Sequence, residues 1–402
     1  MKCTSLFLAL LLGFSPVLQA LDSPRLWSIS MAETLMKRAA TNPHDSDGLT
    51  PWSYWKGFTL DGFEMLWRAT GDQRYFNFIR QEIDPYIDDN GNLVHVNLDS
   101  LDNVMAANIV VGLYEQTHDQ RYRSASMEIR KAFDRFPRNP DGGFWHSPRL
   151  PGEMWSDGVF MGQMFLLRYG KSIGDRKYCF DEAAKQIILY SKHARKGQSG
   201  LYYHAWTAKP ALAKVLPDRK VLWADPETGL SSEVWSEGLG WYALVLTEAL
   251  ADLPPDHPQR AQVLEIYERL AVDLKKLQDP ATGGWFQVVD KGDQAGNFID
   301  PSGSAMFTYA IQRGIDLGIL SGAEYRPVVI RGYAAVVSHA VINAKGLLDL
   351  EGTCNGICVQ ASYRDYVNYP QTINAKESVA AFLWATTIVE RDQLRNIQRT
   401  KH

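Results

Sequence analysis

One six-residue pattern recurs three times in the N-terminal half of the chain, and it constrains the fold more than any other feature. The copies lie at 70–75 (TGDQRY), 117–122 (THDQRY) and 173–178 (IGDRKY), 47 and 56 residues apart. In each copy a helical pattern ends, an Asp is placed to cap the next helix, and a Tyr begins the next apolar stripe. Self-similarity of this kind indicates repeated supersecondary units.

A second pattern, Gly followed by large apolar residues and a polar one, falls between the copies of the first. Its copies lie at 91–95, 143–146, 200–204, 284–287 and 346–349, with a more diverged sixth at 48–52. Helical periodicity runs through nine segments, and no long alternating strand pattern competes. These segments are 60–68, 104–115, 160–169, 180–191, 240–250, 262–278, 303–317, 327–341 and 377–390.

The two patterns together predict an all-α fold made of helical hairpins with long connecting loops. Six pairs indicate an (α/α)6 barrel, with six inner and six outer helices and with the Gly-aromatic loops gathered around a pocket on one face. An open superhelical solenoid is the competing architecture. No Pro-, Ser- or Gly-rich linker interrupts the pattern, so residues 21–402 are predicted to form one domain.

The first 20 residues have the composition of a secretory signal peptide. Lys2 supplies a positive charge, residues 6–12 are apolar, and Ala20 offers a small residue at the cleavage point. The apolar run is too short to span a membrane, and no later segment is long enough. We therefore expect a periplasmic or secreted protein.

The remaining cysteines and the charge balance exclude several classes of protein. Cys354 and Cys358 either close a small disulfide loop or stay unpaired, and Cys179 has no obvious partner. His339, the nearest histidine, stands alone, so no metal or other cofactor is predicted. The 42 Lys and Arg against 46 Asp and Glu argue against a nucleic-acid partner. The oligomeric state stays open.

Aromatic residues and two acids give the first indication of chemistry. The 12 Trp, 18 Tyr and 16 Phe exceed what a core needs and suit stacking on sugar rings. Asp157 stands between Trp155 and Gly158 at the start of an apolar helix, as either a helix cap or a general acid/base in an aromatic pocket. Asp102 is the second acid, although Asp99 is equally placed to cap that helix. Two carboxylates facing one pocket are typical of sugar chemistry.

Further candidates stand at matching positions of the repeats. His146 and His204 each end a Gly-aromatic segment, where they are suited to contact sugar hydroxyls or a carboxylate. Trp235 and Trp241, with two glycines between them, suit a loop that presents aromatic walls. Tyr54 precedes an apolar helix in the same way.

Taken together, these segments resemble the unsaturated uronyl hydrolases of glycoside hydrolase family 105, with family 88 as a more distant relation. The resemblance covers nearly the whole mature chain and is strongest at 101–103, 142–146, 154–162, 200–204 and 235–241. It implies an (α/α)6 barrel that takes oligosaccharides left by a polysaccharide lyase and hydrates the C4=C5 double bond of their terminal uronic acid. It also implies that Asp157 is the acid/base and Asp102 the second acidic residue. The pocket residues implied are Tyr54, His146, His204, Trp235 and Trp241.

The chain departs from the family pattern between the two tryptophans. Glu237 stands where the family commonly has Arg, and Leu239 where it has Asn. A cation that binds an anionic sugar has thus become an anion, which puts a rhamnogalacturonan-type substrate in doubt. We expect Glu237 either to pair with a cation or to bond neutral hydroxyls. The alternatives are another (α/α)6 glycosidase, a polysaccharide lyase, and a sugar-binding protein with a decayed site.

Overall fold

The computed structural model describes residues 25–41, 49 and 51–400. The predicted signal peptide and residues 48 and 50 of the diverged repeat copy lie outside the described residues. The helices of the described part are α1 (Trp27–Thr41), α2 (Tyr54–Thr70), α3 (Gln73–Ile83), α4 (Ala107–Thr117), α5 (Gln120–Ala132), α6 (Ser156–Ser172), α7 (Arg176–Ala194), α8 (Ser236–Asp252), α9 (Arg260–Leu277), α10 (Pro301–Asp316), α11 (Gly322–Ser338), α12 (Tyr363–Val367), α13 (Lys376–Val389) and α14 (Arg391–Thr400).

Six of these helices form a closed inner ring. Helices α2, α4, α6, α8, α10 and α13 each contact the next, and α13 returns to contact α2. The outer helices α3, α5, α7, α9 and α11 each pack on the inner helix that precedes them, whereas α1 packs on α13. Helix α1 is therefore the outer partner of α13, the last inner helix. This closure confirms the predicted (α/α)6 barrel and excludes the open solenoid.

Burial explains which helices are inner and which are outer. Inner helix α8 buries residues on all sides, as a helix enclosed by neighbours must, while α5 buries only one stripe. Asp72 and Asp119 cap α3 and α5 as predicted, because their side chains accept from the backbone N–H groups of Arg74 and Arg121. The predicted cap at Asp175 is wrong. Its backbone is left-handed, and its carboxylate pairs with Arg130 at 2.6 Å instead.

The loops that join the outer helices to the inner helices that follow carry short β-strands and bridges, which pair within one loop or between successive loops. The strands are β1 (Glu153–Trp155), β2 (Ala205–Thr207), β3 (Ala340–Ile342), β4 (Leu348–Leu350), β5 (Thr353–Cys354) and β6 (Gln371–Thr372), paired antiparallel as β1–β2, β3–β4 and β5–β6. Two of the repeat glycines lie in turns with a positive φ, 80° at Gly91 and 71° at Gly346. Because these loops lead into inner helices, they collect at the end of the barrel where those helices begin.

The structure also bears on the cysteines and on membrane insertion. Cys179, Cys354 and Cys358 are free thiols, so the loop between Cys354 and Cys358 is not closed by a bridge. Within residues 25–41 and 51–400, no helix is both long and apolar enough to cross a membrane.

Candidate active site

Acidic side chains stand at the beginning of several inner helices and converge on one end of the barrel. Asp157, Glu237 and Glu377 are each the second residue of their helix, in α6, α8 and α13, and Asp102 begins a single 3-10 turn just before α4. The N-terminus of a helix carries a partial positive charge, which favours carboxylates at this end. The repeated architecture therefore places several acids around one opening.

Asp157 is paired with His204, one of the two predicted histidines. Strands β1 and β2 pair Trp155 with Ala205, which brings His204 beside the start of α6. Nε2 of His204 lies 3.3 Å from Oδ2 of Asp157, and Nδ1 lies 2.8 Å from the hydroxyl of Tyr366. That hydroxyl accepts from the backbone N–H of Gln360, so it is free to donate to Nδ1 and leave the imidazole proton facing Asp157.

Opposing influences act on the pKa of Asp157. Its side chain is 18% exposed, which leaves it accessible from the pocket. Burial alone would raise the pKa of this carboxyl, but attraction to His204 and His146 outweighs that and lowers it. The net shift of the pKa is therefore downward, and Asp157 is an ionised group next to two imidazoles.

Asp102 is paired in the same way with His146, the other predicted histidine. Nε2 of His146 lies 3.1 Å from Oδ2 of Asp102, and the imidazole stacks on Trp155 with ring centroids 4.5 Å apart. Burial would lower the pKa of His146, but the Asp102 carboxylate and then Asp157 raise it. A Cβ at Gly158 would lie 2.7 Å from Nδ1 of this imidazole. Gly158 is thus required for the close approach of His146 to the start of α6.

Tyr54 faces the same opening from α2, where it meets an acid that the sequence analysis missed. Its hydroxyl donates to Oε1 of Glu377 at 2.6 Å, and Nε1 of Trp55 donates to the same oxygen at 2.5 Å. Burial, followed by the charges of Glu377, Asp102 and Glu237, raises the pKa of Tyr54. The phenol therefore stays protonated at the meeting point of three carboxyl groups. The signal for Glu377 was its position, second in an inner helix like Asp157 and Glu237.

Glu237 lies in a helix rather than a loop, and it pairs with no cation among residues 25–41, 49 and 51–400. It is 2% exposed in the first turn of α8, and the charged groups that act on it most strongly are Glu377 and Asp300. Burial and then these two acids raise the pKa of Glu237 well above its usual range. Of the two expected arrangements, the ion pair is wrong.

The predicted aromatic walls at Trp235 and Trp241 are also wrong in detail. Both indoles are 1% exposed, Trp235 as the residue just before α8 and Trp241 inside that helix. Trp241 stacks on Phe160 with centroids 5.1 Å apart and meets Phe58 at 4.7 Å. Trp235 packs against His204 at 4.4 Å. Both tryptophans form the base that holds the polar residues in place rather than a surface on which a sugar stacks.

The structure thus brings Tyr54, Asp102, His146, Asp157, His204 and Glu237 to one end of the barrel, as predicted. It adds Glu377 and Tyr366 to them. No group of three or more His, Cys, Asp or Glu in the described part of the chain has the geometry of a metal site. The chemistry available here is proton transfer between carboxyl groups, imidazoles and a bound substrate.

Comparison with known proteins agrees with this description. The sequence profile of Glycosyl Hydrolase Family 88 matches residues 27–393. The solved structure of a family 105 glycoside hydrolase from Clostridium acetobutylicum ATCC 824 (C. acetobutylicum) superposes with a TM-score of 0.82 at 29% identity, covering 91% of this chain and 99% of that one. An unsaturated rhamnogalacturonyl hydrolase from Bacillus subtilis is 23% identical over 292 residues, 71% of this chain and 75% of the relative.

A protein from Agrobacterium fabrum is more similar in sequence over a shorter stretch. It is 32% identical over 192 residues, which cover 48% of this chain and 76% of the relative. Fold and site together define a glycosidase. The chain belongs to Glycosyl Hydrolase Family 88, and the resemblance to the family 88 and family 105 enzymes is confirmed.

Proposed function

We propose that this glycosidase removes the 4,5-unsaturated uronic acid from the non-reducing end of oligosaccharides left by polysaccharide lyases. The observation that carries the proposal is the pairing of Asp157 with the buried, oriented His204 at the open end of the barrel. The family membership and the unsaturated rhamnogalacturonyl hydrolase among the relatives support the same substrate chemistry.

In the proposed reaction Asp157 acts first as an acid and then as a base. It gives a proton to C4 of the double bond, and the hydroxyl of a water molecule adds at C5 while the other proton of that water returns to Asp157. The product is a hemiketal at C5. The hemiketal opens by breaking the bond between C5 and the ring oxygen, which leaves a ketone at C5 and a hemiacetal at C1. Breakdown of that hemiacetal releases the rest of the chain.

Binding of the substrate prepares Asp157 for the first step. The carboxyl is ionised, yet burial is the strongest single influence on it and acts to raise its pKa. A sugar ring that displaces water from the exposed part of Asp157 increases that influence. The carboxyl then takes up the proton that it passes to C4.

Asp102 and His146 form a second acid–imidazole pair that faces the same substrate. Asp102 is 27% exposed, and its Oδ2 stays with His146, while its buried Oδ1 has no hydrogen-bond partner among the described residues. The exposed part of this carboxyl is what a substrate can reach. We assign to this pair the positioning of the unsaturated ring, with Tyr54 on the opposite side.

The test is turnover of a lyase-treated polysaccharide compared with the untreated polymer. We expect the ultraviolet absorbance of the conjugated double bond to disappear only with the lyase products. An ordinary glycosidase or a lyase would act on the untreated polymer instead. A decayed sugar-binding protein would bind the oligosaccharides without any loss of absorbance.

The compartment is a separate part of the proposal. Residues 1–20 have the sequence of a signal peptide, so we propose that the mature enzyme begins near Leu21 and works in the periplasm or outside the cell. Intact-mass measurement of the protein from its native host tests this. A retained Met1 on a cytoplasmic protein would contradict it.

A further inference from the structure

Four acidic side chains meet beside the proposed substrate position. Glu237 on α8 is surrounded by Asp157 from α6, Asp300 from the residue before α10, and Glu377 from α13. Asp157 has His204 as a partner, but in the described part of the chain neither Glu237 nor Glu377 nor Asp300 forms an ion pair with Lys, Arg or His. Buried like charges this close cannot all stay ionised.

Hydrogen bonds engage two of these groups as acceptors. Asp300 caps α10, where its oxygens accept from the backbone N–H groups of Ser302 and Gly303 at 3.1 and 2.9 Å. Glu377 accepts two hydrogen bonds at one oxygen, from Tyr54 and Trp55. A Cβ at Gly356 would collide with that same oxygen, so the loop between Cys354 and Cys358 covers Glu377 closely. Both groups are held as acceptors.

Glu237 is left as the group that carries the proton. It is 2% exposed and pairs with no cation of the described residues, while the nearby Ser302 hydroxyl donates to Asp300. Burial, Glu377 and Asp300 all raise its pKa, in that order. A protonated carboxyl has an O–H donor and an acceptor oxygen, but no charge. It therefore differs from the Arg of the family pattern in charge, though both groups donate hydrogen bonds.

We infer that Glu237 acts as a neutral hydrogen-bond donor beside Glu377, and that this pair selects an uncharged oxygen group over a carboxylate at this position of the substrate. The oxygen group is a hydroxyl of a neutral neighbouring sugar or the carbonyl of an esterified uronyl group. A carboxylate there would face Glu377 and Asp300 without a cation, which is the repulsive element that specificity needs. The inference rests on the proposed function, because it concerns the binding of that substrate.

The experiment compares kcat/KM on four unsaturated disaccharides. One pair differs only in the uronyl carboxyl, free or methyl-esterified, and the other only in the second sugar, neutral or uronic. We expect the wild type to prefer the uncharged member of at least one pair by about 10-fold or more. The pair that shows the preference identifies which part of the substrate faces Glu237.

Two variants at the same position then separate charge from shape. Glu237→Gln is uncharged and of the same size, so it should keep the wild-type ratio of kcat/KM between the uncharged and the charged substrate. Glu237→Arg should abolish or invert that preference. Thermal melts show whether each variant is folded, and the wild-type ratio together with that of Glu237→Gln decides the matter if Glu237→Arg does not fold. Three results would overturn the inference. The wild type could prefer the charged member of both pairs, or it could show equal rates within both pairs. Alternatively, the kcat/KM ratio of Glu237→Gln could move toward the charged substrate.

The same measurements keep the inference apart from the proposed function. If the wild type turns over none of the four disaccharides, both are wrong. If it turns them over without a charge preference, the proposed reaction stands and only the role of Glu237 and Glu377 is lost.

Discussion

The two ends of the barrel differ in whether their buried acidic side chains have cationic partners. At the end where the inner helices begin, Glu237, Glu377 and Asp300 lie together and form no ion pair with any residue that the structure describes. At the end where they finish, Arg168 lies 2.5 Å from Glu64 and 2.7 Å from Glu115. The helix dipole explains the difference in part, since it favours carboxylates at the N-termini and cations at the C-termini.

The comparison separates a functional end from a structural one. A cavity of about 740 Å³ opens at the C-terminal end, and it is lined by Arg168, Arg313 and other groups that already have partners of opposite charge. A ligand there would have to break those pairs. The unpaired acids and the Asp–histidine pairs lie at the other end, and perturbed groups of that kind mark functional sites. This cavity by itself therefore does not mark the functional site.

The largest expected effect is the loss of activity on removing the acid at the N-terminal end. Asp157→Asn keeps the shape of the side chain but cannot deliver a proton, so we expect kcat to fall by roughly 10²- to 10⁴-fold. Turnover of an unsaturated disaccharide measures this, and circular dichroism checks the fold. Asp392→Asn, at an exposed position on α14, is the matched control and should change neither. A folded Asp157→Asn enzyme with near wild-type turnover would remove Asp157 from the mechanism.

A comparable change at the C-terminal end should affect stability instead. Among the described residues, Arg168→Met leaves Glu64 and Glu115 with only the half-exposed Arg68 as a cation, 2.6 and 3.6 Å away, and we expect this to cost about 3 kcal/mol in the free energy of unfolding, the lower end for breaking a buried ion pair. Denaturant unfolding measures the loss. Activity per folded molecule should stay close to wild type, because the proposed site is at the other end.

An exposed ion pair supplies the control for that experiment. Arg269 and Glu265 are one turn apart on α9 and both are largely in solvent, so Arg269→Met should change stability by less than about 1 kcal/mol. If Arg168→Met were as stable as this control, the description of the C-terminal end as a structural network would be wrong.

The sequence was sufficient for most of the architecture but not for the identity of every helix. Inner helices such as α6 and α8 are strongly apolar, so their periodicity was clear, and their predicted segments fall inside the observed bounds. Helices α3 and α5 were missed as helices, because each buries only one narrow stripe in a polar sequence. Their starts were nevertheless marked by the capping residues Asp72 and Asp119.

The candidate site was predictable where the repeats carry it and not where barrel closure does. His146 and His204 follow from matching positions, whereas Glu377 meets Tyr54 across a separation of 323 residues. The glycines between Trp235 and Trp241 suggested a flexible loop but lie inside α8. A Cβ at Gly240 would be 2.5 Å from Sδ of Met306, so this glycine allows helices α8 and α10 to pack closely. Nothing local in the sequence distinguishes a glycine in a flexible loop from a glycine that allows two helices to pack closely.

The next expected effect sharpens the contrast within the C-terminal end and depends on pH. Burial raises the pKa of Asp61 to about 8, although Arg168 opposes this, so the folded protein holds a proton there that the unfolded chain releases above about pH 4. The stability from this group is fully present below that pH and is lost as pH rises toward 8. Asp61→Asn should therefore flatten the decline in the free energy of unfolding from about pH 5 to about pH 8.

Glu64, one turn further along α2, gives the opposite dependence as an internal control. Burial alone would raise its pKa, but Arg168 lowers it to about 2. Its contribution is present above its usual pKa and is lost as pH falls toward 2, a window that Asp61→Asn should leave unchanged. Denaturant midpoints measured across both ranges test this. Parallel curves for wild type and Asp61→Asn above pH 5 would show that Asp61 is ionised in the folded protein.

The smallest expected effect concerns the hydroxyl that orients His204. Tyr366→Phe removes the group 2.8 Å from Nδ1, so the imidazole proton is no longer directed toward Asp157. We expect kcat to fall about tenfold, far less than in Asp157→Asn, with KM little changed and with a shifted pH profile of kcat. Tyr267→Phe is the control, because that buried hydroxyl also donates a hydrogen bond, to the carbonyl of Ala310, but on an outer helix away from the site. Each variant leaves a buried acceptor without its donor, and Tyr366→Phe also leaves the backbone N–H of Gln360 without its acceptor, so we expect Tyr366→Phe to lose somewhat more stability. Only Tyr366→Phe should move the pH profile, and an unmoved profile in a folded enzyme would mean that Asp157 does not depend on the orientation of His204.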